Sequence, residues 1–147
     1  VDFKEIPVFV EASAPDSLAQ TEQLARSVSD RVEEMSTERR RCLHLAAVFA
    51  CNFVNHCYAL AADLLGRDDI PFDVMWPLID ETARKVHRLP PVEAQTGPAV
   101  RYDRNVIERQ CSMLDGEPEW KAIYEMMSRS IHALALRNEA ERKEIND

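Results

Sequence analysis

The feature that most constrains this chain is a run of 21 residues, 42–62, that contains no Asp, Glu, Lys or Arg. Ser36 or Thr37 is suited to cap a helix that begins just before the run, because a hydroxyl oxygen can accept a bond from the free N–H groups of the first turn. We expect this helix to continue to about Leu65. Gly66 would then end it as a left-handed C′ residue.

A helix of this length can cross a bilayer, and the three arginines at 39–41 on one flank are typical of a membrane anchor. Four polar side chains inside the run argue against this, because lipid offers them no partners: His44, Asn52, Asn55 and His56. We therefore favour a soluble protein in which the helix is buried by other helices or lies in a subunit interface. The membrane-anchored alternative predicts detergent dependence.

The polar side chains of this helix share one face. At 100° per residue from His44, Asn55 falls at about 20° and Asn52 at about 80°, with Asp63 and His56 slightly beyond. For Asp63 and His56 a solvated surface is the simpler interpretation. Buried amides and imidazoles need partners or a cavity, so His44, Asn52 and Asn55 predict either satisfied core groups or one wall of a polar cleft.

Composition excludes several classes of function. The chain has three glycines, Gly66, Gly97 and Gly116, and no two are close together. A dinucleotide-binding turn and a P-loop both need clustered glycines, so we expect no cofactor-binding residues in this chain. A net charge of −8, from 18 basic and 26 acidic side chains, argues against a nucleic-acid partner.

The cysteines point to a reducing compartment. Four are present, without a CxxC pair or the spacing of a metal site, so we expect no metal: Cys42, Cys51, Cys57 and Cys111. Three of them lie in the apolar run, which predicts reduced thiols in the core of a cytoplasmic protein. The first residues have no signal-peptide pattern, and the missing initiator methionine suggests a piece of a longer protein.

Residues 1–35 predict one βαβ unit. Residues 6–10 and 31–35 have the composition of short strands, and Asp16 or Ser17 is suited to cap the helix between them. The expected apolar positions of that helix are Leu18, Leu24, Ala25 and Val28. Two strands and one helix are not stable alone, so we expect further sheet from elsewhere in the protein.

Residues 36–147 have a helical pattern throughout. A second helix is expected over residues 72–89, kinked or restarted at Pro77, and Asp103 is suited to cap a shorter one. Pro118 opens the last helix, whose expected core positions are Trp120, Ile123, Tyr124, Met127, Ile131 and Leu134.

A turn at residues 96–103 is the second candidate site. Gly97 is free to take a positive φ and Pro98 suits a first helical turn, so the segment is explained structurally as a turn and a helix start. Thr96 and Arg101 could also hold an anionic ligand at that helix start.

Residues 44–62, 78–85 and 95–103 together resemble a family of NADP-dependent oxidoreductases of Bacteroidetes-type bacteria. These proteins join an N-terminal Rossmann-like domain to a C-terminal helical domain of unknown function. The resemblance covers nearly the whole chain. It implies that residues 1–35 are the end of the Rossmann-like domain and that residues 36–147 are the helical substrate and dimerisation domain.

The implied fold is mostly α: a helical domain like the C-terminal domain of 6-phosphogluconate dehydrogenase, preceded by a βαβ remnant of a Rossmann domain. It is similar to the C-terminal domains of ketopantoate reductase, pyrroline-5-carboxylate reductase and the β-hydroxyacid dehydrogenases. In such enzymes the first long helix faces the nicotinamide and helices often pair in dimers. NADP is therefore implied for the parent protein, and a homodimer for its assembly.

The resemblance also implies site residues. It places six residues at the cleft: His44, Asn52, Thr96, Gly97, Pro98 and Arg101. Together with Asn55 from the polar face of the helix, we expect His44 and Asn52 to be catalytic and Asn55, Thr96, Gly97 and Arg101 to bind substrate. The β-hydroxyacid dehydrogenases carry a Lys four residues before an Asn on this helix, but Val48 occupies that position if Asn52 is the Asn. His44 is then the best substitute as acid or base, because imidazole exchanges a proton near neutral pH.

Two hypotheses about function follow. The first is a substrate-binding and dimerising domain, inactive alone, of an oxidoreductase that acts on a small carbonyl, hydroxy or imine compound. The alternative is a non-catalytic helical dimerisation or interaction module, which predicts association without any small ligand.

Overall fold

The computed structural model describes residues 2–146 of the chain. The chain is mostly helical and has one two-stranded sheet, so the predicted fold class, a mostly α chain that begins with a βαβ unit, is confirmed. Its strands and helices are β1 Val8–Val10, α1 Pro15–Val28, β2 Val32–Glu34, α2 Thr37–Ala47, α3 Val54–Gly66, α4 Trp76–Val86, α5 Pro91–Ala94, α6 Pro98–Arg101, α7 Arg104–Ser112 and α8 Pro118–Asn146. A π-helical turn, Val48–Phe53, joins α2 to α3.

The chain divides into two compact units, Val1–Ala59 and Leu60–Asp147. The boundary between them falls within α3. The predicted boundary at residue 35 is a different one, between the Rossmann-like and the helical domain of the parent protein. It stays a prediction.

The first unit opens with the predicted βαβ arrangement. Strands β1 and β2 are parallel, with Val8 opposite Val32 and Val10 opposite Glu34. Val10, Ala25 and Val32 form a small buried core, against which Val8 and Leu18 pack. The parallel pairing requires the chain to cross over through α1, and this is why the strand, helix and strand follow one another so closely.

Two details of α1 differ from the prediction. The helix begins at Pro15 with Ala14 as its N-cap, because proline has a helical φ and needs no N–H partner in a first turn; Asp16 and Ser17 are therefore not caps. Leu24 and Val28 are exposed, so the expected core positions at these two residues are wrong.

Ser29 is a core residue that the sequence pattern did not identify. Its side chain is fully buried at the end of α1. The Oγ donates to the carbonyl of Ile6 at 2.5 Å and accepts from the N–H of Arg31 at 3.0 Å. One hydroxyl thereby ties the helix end to the approaches of both strands.

The apolar helix forms as predicted but is not buried by the chain. It starts at Thr37 with Ser36 as its cap, whose Oγ accepts from the N–H of Arg39. No residue between 37 and 66 is buried, and among the described residues this is the one helix long and apolar enough to cross a membrane. Of the two predicted alternatives, burial by other helices of the chain is therefore wrong, and burial in a subunit interface stays a prediction.

The cysteines share this correction. All four thiols are free, as predicted, but only Cys111 is buried. The other three are exposed on the apolar helix rather than packed in the core: Cys42, Cys51 and Cys57.

The helix also ends differently from the prediction. Gly66 is its last residue and does not have a positive φ. The left-handed residue is Asp69, with φ 55°, and the N–H of Ile70 returns to the carbonyl of Leu65 at 3.0 Å. Asp tolerates this conformation because its short side chain can bond locally.

The second unit is built on α8. A 3₁₀ turn, Phe72–Met75, precedes α4, so Pro77 restarts the helix in its first turn as one of the two predicted alternatives. Helices α5, α6 and α7 pack against α8. Two expected core positions on α8 are exposed, Met127 and Leu134.

Arg67 anchors the start of α8 within this unit. Its guanidinium bonds Asp63 at 3.0 Å and Glu117 at 2.9 Å and lies 4.8 Å from the ring centroid of Trp120. These contacts raise the pKa of Arg67, first through the hydrogen bond to Asp63. The turn after α3 is thus held against the first turns of α8.

Candidate functional site

The first unit has a surface pocket of about 420 Å³ that contains His44. It runs along the whole of α2, about three turns, and is lined by Thr37, Arg40, Arg41, His44, Leu45 and Val48. Its residues recur at spacings of three and four, so their side chains lie one above another on one face of the helix. The pocket is therefore bordered by one histidine, two arginines, one threonine and two apolar residues, and most of its lining surface is apolar.

Glu11 fixes the position of this pocket relative to the sheet. It follows β1 directly, at the carboxyl end of the parallel strands. Its carboxylate accepts from the N–H of Thr37 at 3.1 Å and from the Thr37 Oγ1 at 2.8 Å, and it pairs with the guanidinium of Arg40. The first turn of α2 is thereby attached to the strand edge at which ligands bind in open α/β sheets.

The same contacts change the charge behaviour of Glu11. The hydrogen bonds from Thr37, and then the charge of Arg40, lower the pKa of Glu11 below its ordinary value of 4.5. Glu11 is therefore ionised at neutral pH. A carboxylate that accepts three bonds holds Arg40 and Thr37 in one orientation beside the pocket.

Val48 lies in the same pocket as His44. This is the position that carries a Lys in the β-hydroxyacid dehydrogenases if Asn52 is the matching Asn. The pocket wall is apolar there, and His44 lies one turn before it on the same helix.

The π turn changes which polar side chains share a face with His44. It closes its hydrogen bonds one residue further along than an α turn, so the residues after it are rotated back by about 100°. Asn55 is then about 80° from the direction of His44, whereas His56 and Asp63 are within about 20° of it. Asn52 lies inside the π turn itself. π turns of this kind occur frequently at functional sites.

The second candidate segment belongs to the other unit. Gly97 has φ 105° and ψ 177°, as its predicted freedom requires, and Pro98 begins α6. Ala99 is buried, whereas Thr96 and Arg101 are exposed. Helix α6 is a single turn, so its dipole contributes little, and any anion would depend on the Arg101 guanidinium.

His132 holds this segment in place, and the sequence pattern did not single it out. Its Nδ1 lies 3.0 Å from the carbonyl oxygen of Val100, and its ring stacks on Tyr102 with centroids 4.9 Å apart. Tyr102 has φ 51°, and Asp103 caps α7 by accepting from the N–H of Val106, as predicted. A lone histidine on a helix carries no spacing signal that could have identified this contact.

A further pocket of the second unit, about 440 Å³, contains none of the predicted site residues. Cys111 and Ser128 are its buried polar groups. Burial, and then the charge of Glu125, raises the pKa of the Cys111 thiol, so it is protonated at neutral pH and is a poor nucleophile.

The structure thus brings His44 and Val48 into one pocket, with Asn52 one turn further along the same helix. Thr96, Gly97 and Arg101 come together in the second unit. The roles assigned to these residues, and to Asn55, stay predictions. Glu11, Thr37 and Arg40 belong to the first site but were not predicted from the sequence. The available signal was an acidic residue directly after a predicted strand, with the start of a helix 26 residues later in the chain.

The chain belongs to the family described as a domain of unknown function, DUF2520, which matches residues 6–131. No protein of curated function matches the chain.

Two solved structures are similar to it. The structure of the putative NADP oxidoreductase BF3122 from Bacteroides fragilis is 58% identical, with a TM-score of 0.87, over 90% of this chain and 51% of that one. Protein TM1727 from Thermotoga maritima is 22% identical, with a TM-score of 0.70, over 87% of this chain and 51% of that one, and it shows the fold alone. The chain spans about half the length of these proteins.

Proposed function

We propose that this chain is the substrate-binding and dimerisation domain of an NADP-dependent oxidoreductase. The observation that carries the proposal is the pocket of His44, placed by Glu11 at the carboxyl end of the parallel strands. The 58% identity to half of a protein described as an NADP oxidoreductase supports the same class. In this proposal the substrate is a small carbonyl, hydroxy or imine compound.

The loop after β1 lacks the sequence features of a dinucleotide-binding turn. The loop after β1 contains no glycine, and α1 begins with a proline and has no side-chain cap. A phosphate cradle needs glycines that let backbone N–H groups approach the pyrophosphate. We therefore assign NADP to the parent protein and only substrate contacts to this chain.

In this proposal His44 exchanges a proton with the oxygen or nitrogen of the substrate. Neutral imidazole can accept a proton and imidazolium can donate one, so the same residue serves either direction of the reaction. Asn52 orients the substrate or His44 from the π turn. We propose that Asn55, Thr96, Gly97 and Arg101 bind substrate in the parent protein, with Arg101 contacting an anionic group of that substrate. The similarity of this arrangement to ketopantoate and pyrroline-5-carboxylate reductases, and the cytoplasmic location, belong to the same proposal.

The test uses the full-length protein with NADPH and a panel of small oxoacids and imines, followed by NADPH oxidation. His44→Gln should lower kcat by about 10²- to 10⁴-fold, the usual contribution of a positioned acid or base. The Kd for NADPH and the melting temperature should stay unchanged. His56→Gln is the matched control, because His56 is an exposed histidine of the same helix outside the pocket.

Two outcomes contradict the proposal. Equal activity of His44→Gln and His56→Gln would remove His44 from the site. If the full-length protein did not bind NADPH, the proposed oxidoreductase activity would be contradicted and the non-catalytic interaction module would be favoured. This second candidate is favoured by the exposed apolar side chains of the apolar helix at residues 37–66: Leu43, Leu45, Phe49, Phe53, Val54 and Leu64.

A further inference from the structure

We propose that Arg41 is an anchor for an oxyanion of the ligand that occupies the His44 pocket. The inference rests on the proposed function for the identity of the ligand, a small acid with a carbonyl or hydroxyl group. It adds a binding residue to the candidate site, beside those expected from the sequence.

The two arginines of the pocket differ in what they contact. Arg40 pairs with Glu11 and bonds the Thr37 hydroxyl at 3.1 Å, so its charge is balanced and its position is fixed. Arg41 is exposed, and no carboxylate oxygen among the described residues lies within 4.0 Å of its guanidinium. Glu38, one turn before it, is not paired with it. Arg41 therefore contributes the unbalanced positive charge of the pocket.

The surroundings of Arg41 suit a small acid. The other residues that line the pocket beside it are Thr37, Arg40, His44, Leu45 and Val48, and the Thr37 hydroxyl is already bonded to Glu11 and Arg40. A guanidinium binds a carboxylate or phosphate through two parallel hydrogen bonds, which fixes the orientation of the anion as well as its position. Cavities of about this volume accommodate small ligands rather than macromolecules.

The spacing places the anion next to the proton-exchanging group. Arg41 and His44 are three residues apart, so their Cβ atoms are about 5–6 Å from each other on one helix face. A carboxylate held by Arg41 brings the adjacent carbonyl or hydroxyl carbon of the same ligand toward His44. We therefore assign the oxyanion to the carboxylate of the substrate; a phosphate of the cofactor is the other source of the same chemistry.

The experiment measures binding of malonate and of inorganic pyrophosphate to the full-length protein by calorimetry, with NMR of the His44 ring as a second readout. Arg41→Gln should weaken malonate binding by about tenfold or more, the usual effect of losing a charge-assisted pair. It should also abolish the malonate-dependent shift of the His44 ring signals. Arg41→Lys should restore only part of the affinity, because a point charge lacks the two-bond geometry.

Arg39→Gln is the matched control. Arg39 is an exposed arginine of the same turn that does not line the pocket, and its replacement changes the net charge equally. Equal weakening by both variants, or no binding of either anion by the wild-type protein, overturns the proposal. A loss for pyrophosphate but not for malonate overturns the carboxylate assignment and moves the anchor to a phosphate. NADPH binding is measured separately and tests the proposed oxidoreductase function. A protein that binds malonate through Arg41 but does not bind NADPH would support the anchor and contradict the oxidoreductase.

Discussion

At the scale of single residues, Gly97 shows how one backbone angle shapes the second candidate segment. Its φ of 105° and ψ of 177° lie in a region that is essentially restricted to glycine. A Cβ at this position would meet no atom within 4 Å, so the obstacle to substitution is the backbone conformation and not the space. Pro98 and the buried Ala99 depend on this turn.

We expect Gly97→Ala to lower the free energy of unfolding by about 1–3 kcal/mol, the cost of a strained backbone at a non-glycine residue. Urea unfolding followed by circular dichroism measures it. Gly116→Ala is the matched control, because Gly116 has neither a positive φ nor an atom within 4 Å of an added Cβ. Equal losses in the two variants would contradict the strain argument.

Residue-scale prediction succeeded where the cause was local. The freedom of Gly97, the restart at Pro77 and the caps at Ser36 and Asp103 all follow from groups within a few residues, and the structure confirms them. Gly66 was assigned the left-handed position because it follows an apolar run. The chain instead continues for three residues and turns at Asp69, since several polar residues there tolerate the turn equally well.

At the scale of elements, the attachment of α2 to β1 depends on one carboxylate. Glu11 accepts two bonds from Thr37 and pairs with Arg40, and its pKa is lowered as a result. A carboxyl group with a lowered pKa in the folded state stabilises the protein above its unfolded pKa. The stabilisation is lost as pH falls from that value through the folded pKa.

The pH dependence of unfolding should therefore differ between the wild-type protein and Glu11→Gln. Above about pH 4.5, the ordinary value for Glu11, the wild-type protein should be the more stable, and the difference should shrink as the pH is lowered further. Urea unfolding at a series of pH values measures it. Glu33→Gln, an exposed glutamate of β2, is the control and should leave the pH profile parallel to the wild type. A constant difference at all pH values would contradict the role of Glu11.

The type of each element, helix or strand, was predicted better than the contacts that its side chains make. The strands, the long helix and the α8 helix were predicted from period and caps, which depend on neighbours along the chain. The π turn was not predicted, because its six residues have no composition that distinguishes them from an α-helix. It rotates Asn55 away from His44 and thereby changes which side chains share a face.

At the scale of the whole molecule, the long helix carries a row of exposed apolar side chains. Leu45, Phe49 and Phe53 are 59%, 62% and 48% exposed, which is unusual for adjacent large apolar residues. Phe49 and Phe53 contact each other edge to face with centroids 5.0 Å apart. A row of this kind suits burial against a second copy of the chain, as the dimerisation proposal requires.

We expect Phe49→Glu to raise the dimer dissociation constant of the full-length protein by roughly tenfold or more, because buried aromatic residues dominate interfaces. Sedimentation velocity over a range of concentrations measures it. Met113→Glu is the control, since Met113 is 76% exposed but lies outside this helix. A wild-type protein that sediments as a monomer at all concentrations contradicts the dimer. A wild-type protein that needs detergent favours the membrane alternative instead.

The sequence by itself determined the local architecture: a βαβ start, a long uncharged helix, and short helices joined by proline and glycine turns. These features follow from hydrogen-bond caps, backbone preferences and periodicity, which act over a few residues. The tertiary structure decided which faces are covered. Cys42, Cys51 and Cys57 were predicted to be buried because they are apolar, yet burial requires another element to pack there, and these three side chains are exposed. It also decided how α2 is attached to the sheet, because Glu11 and Arg40 are 29 residues apart and meet only when parallel strands bring the end of β1 to the start of α2.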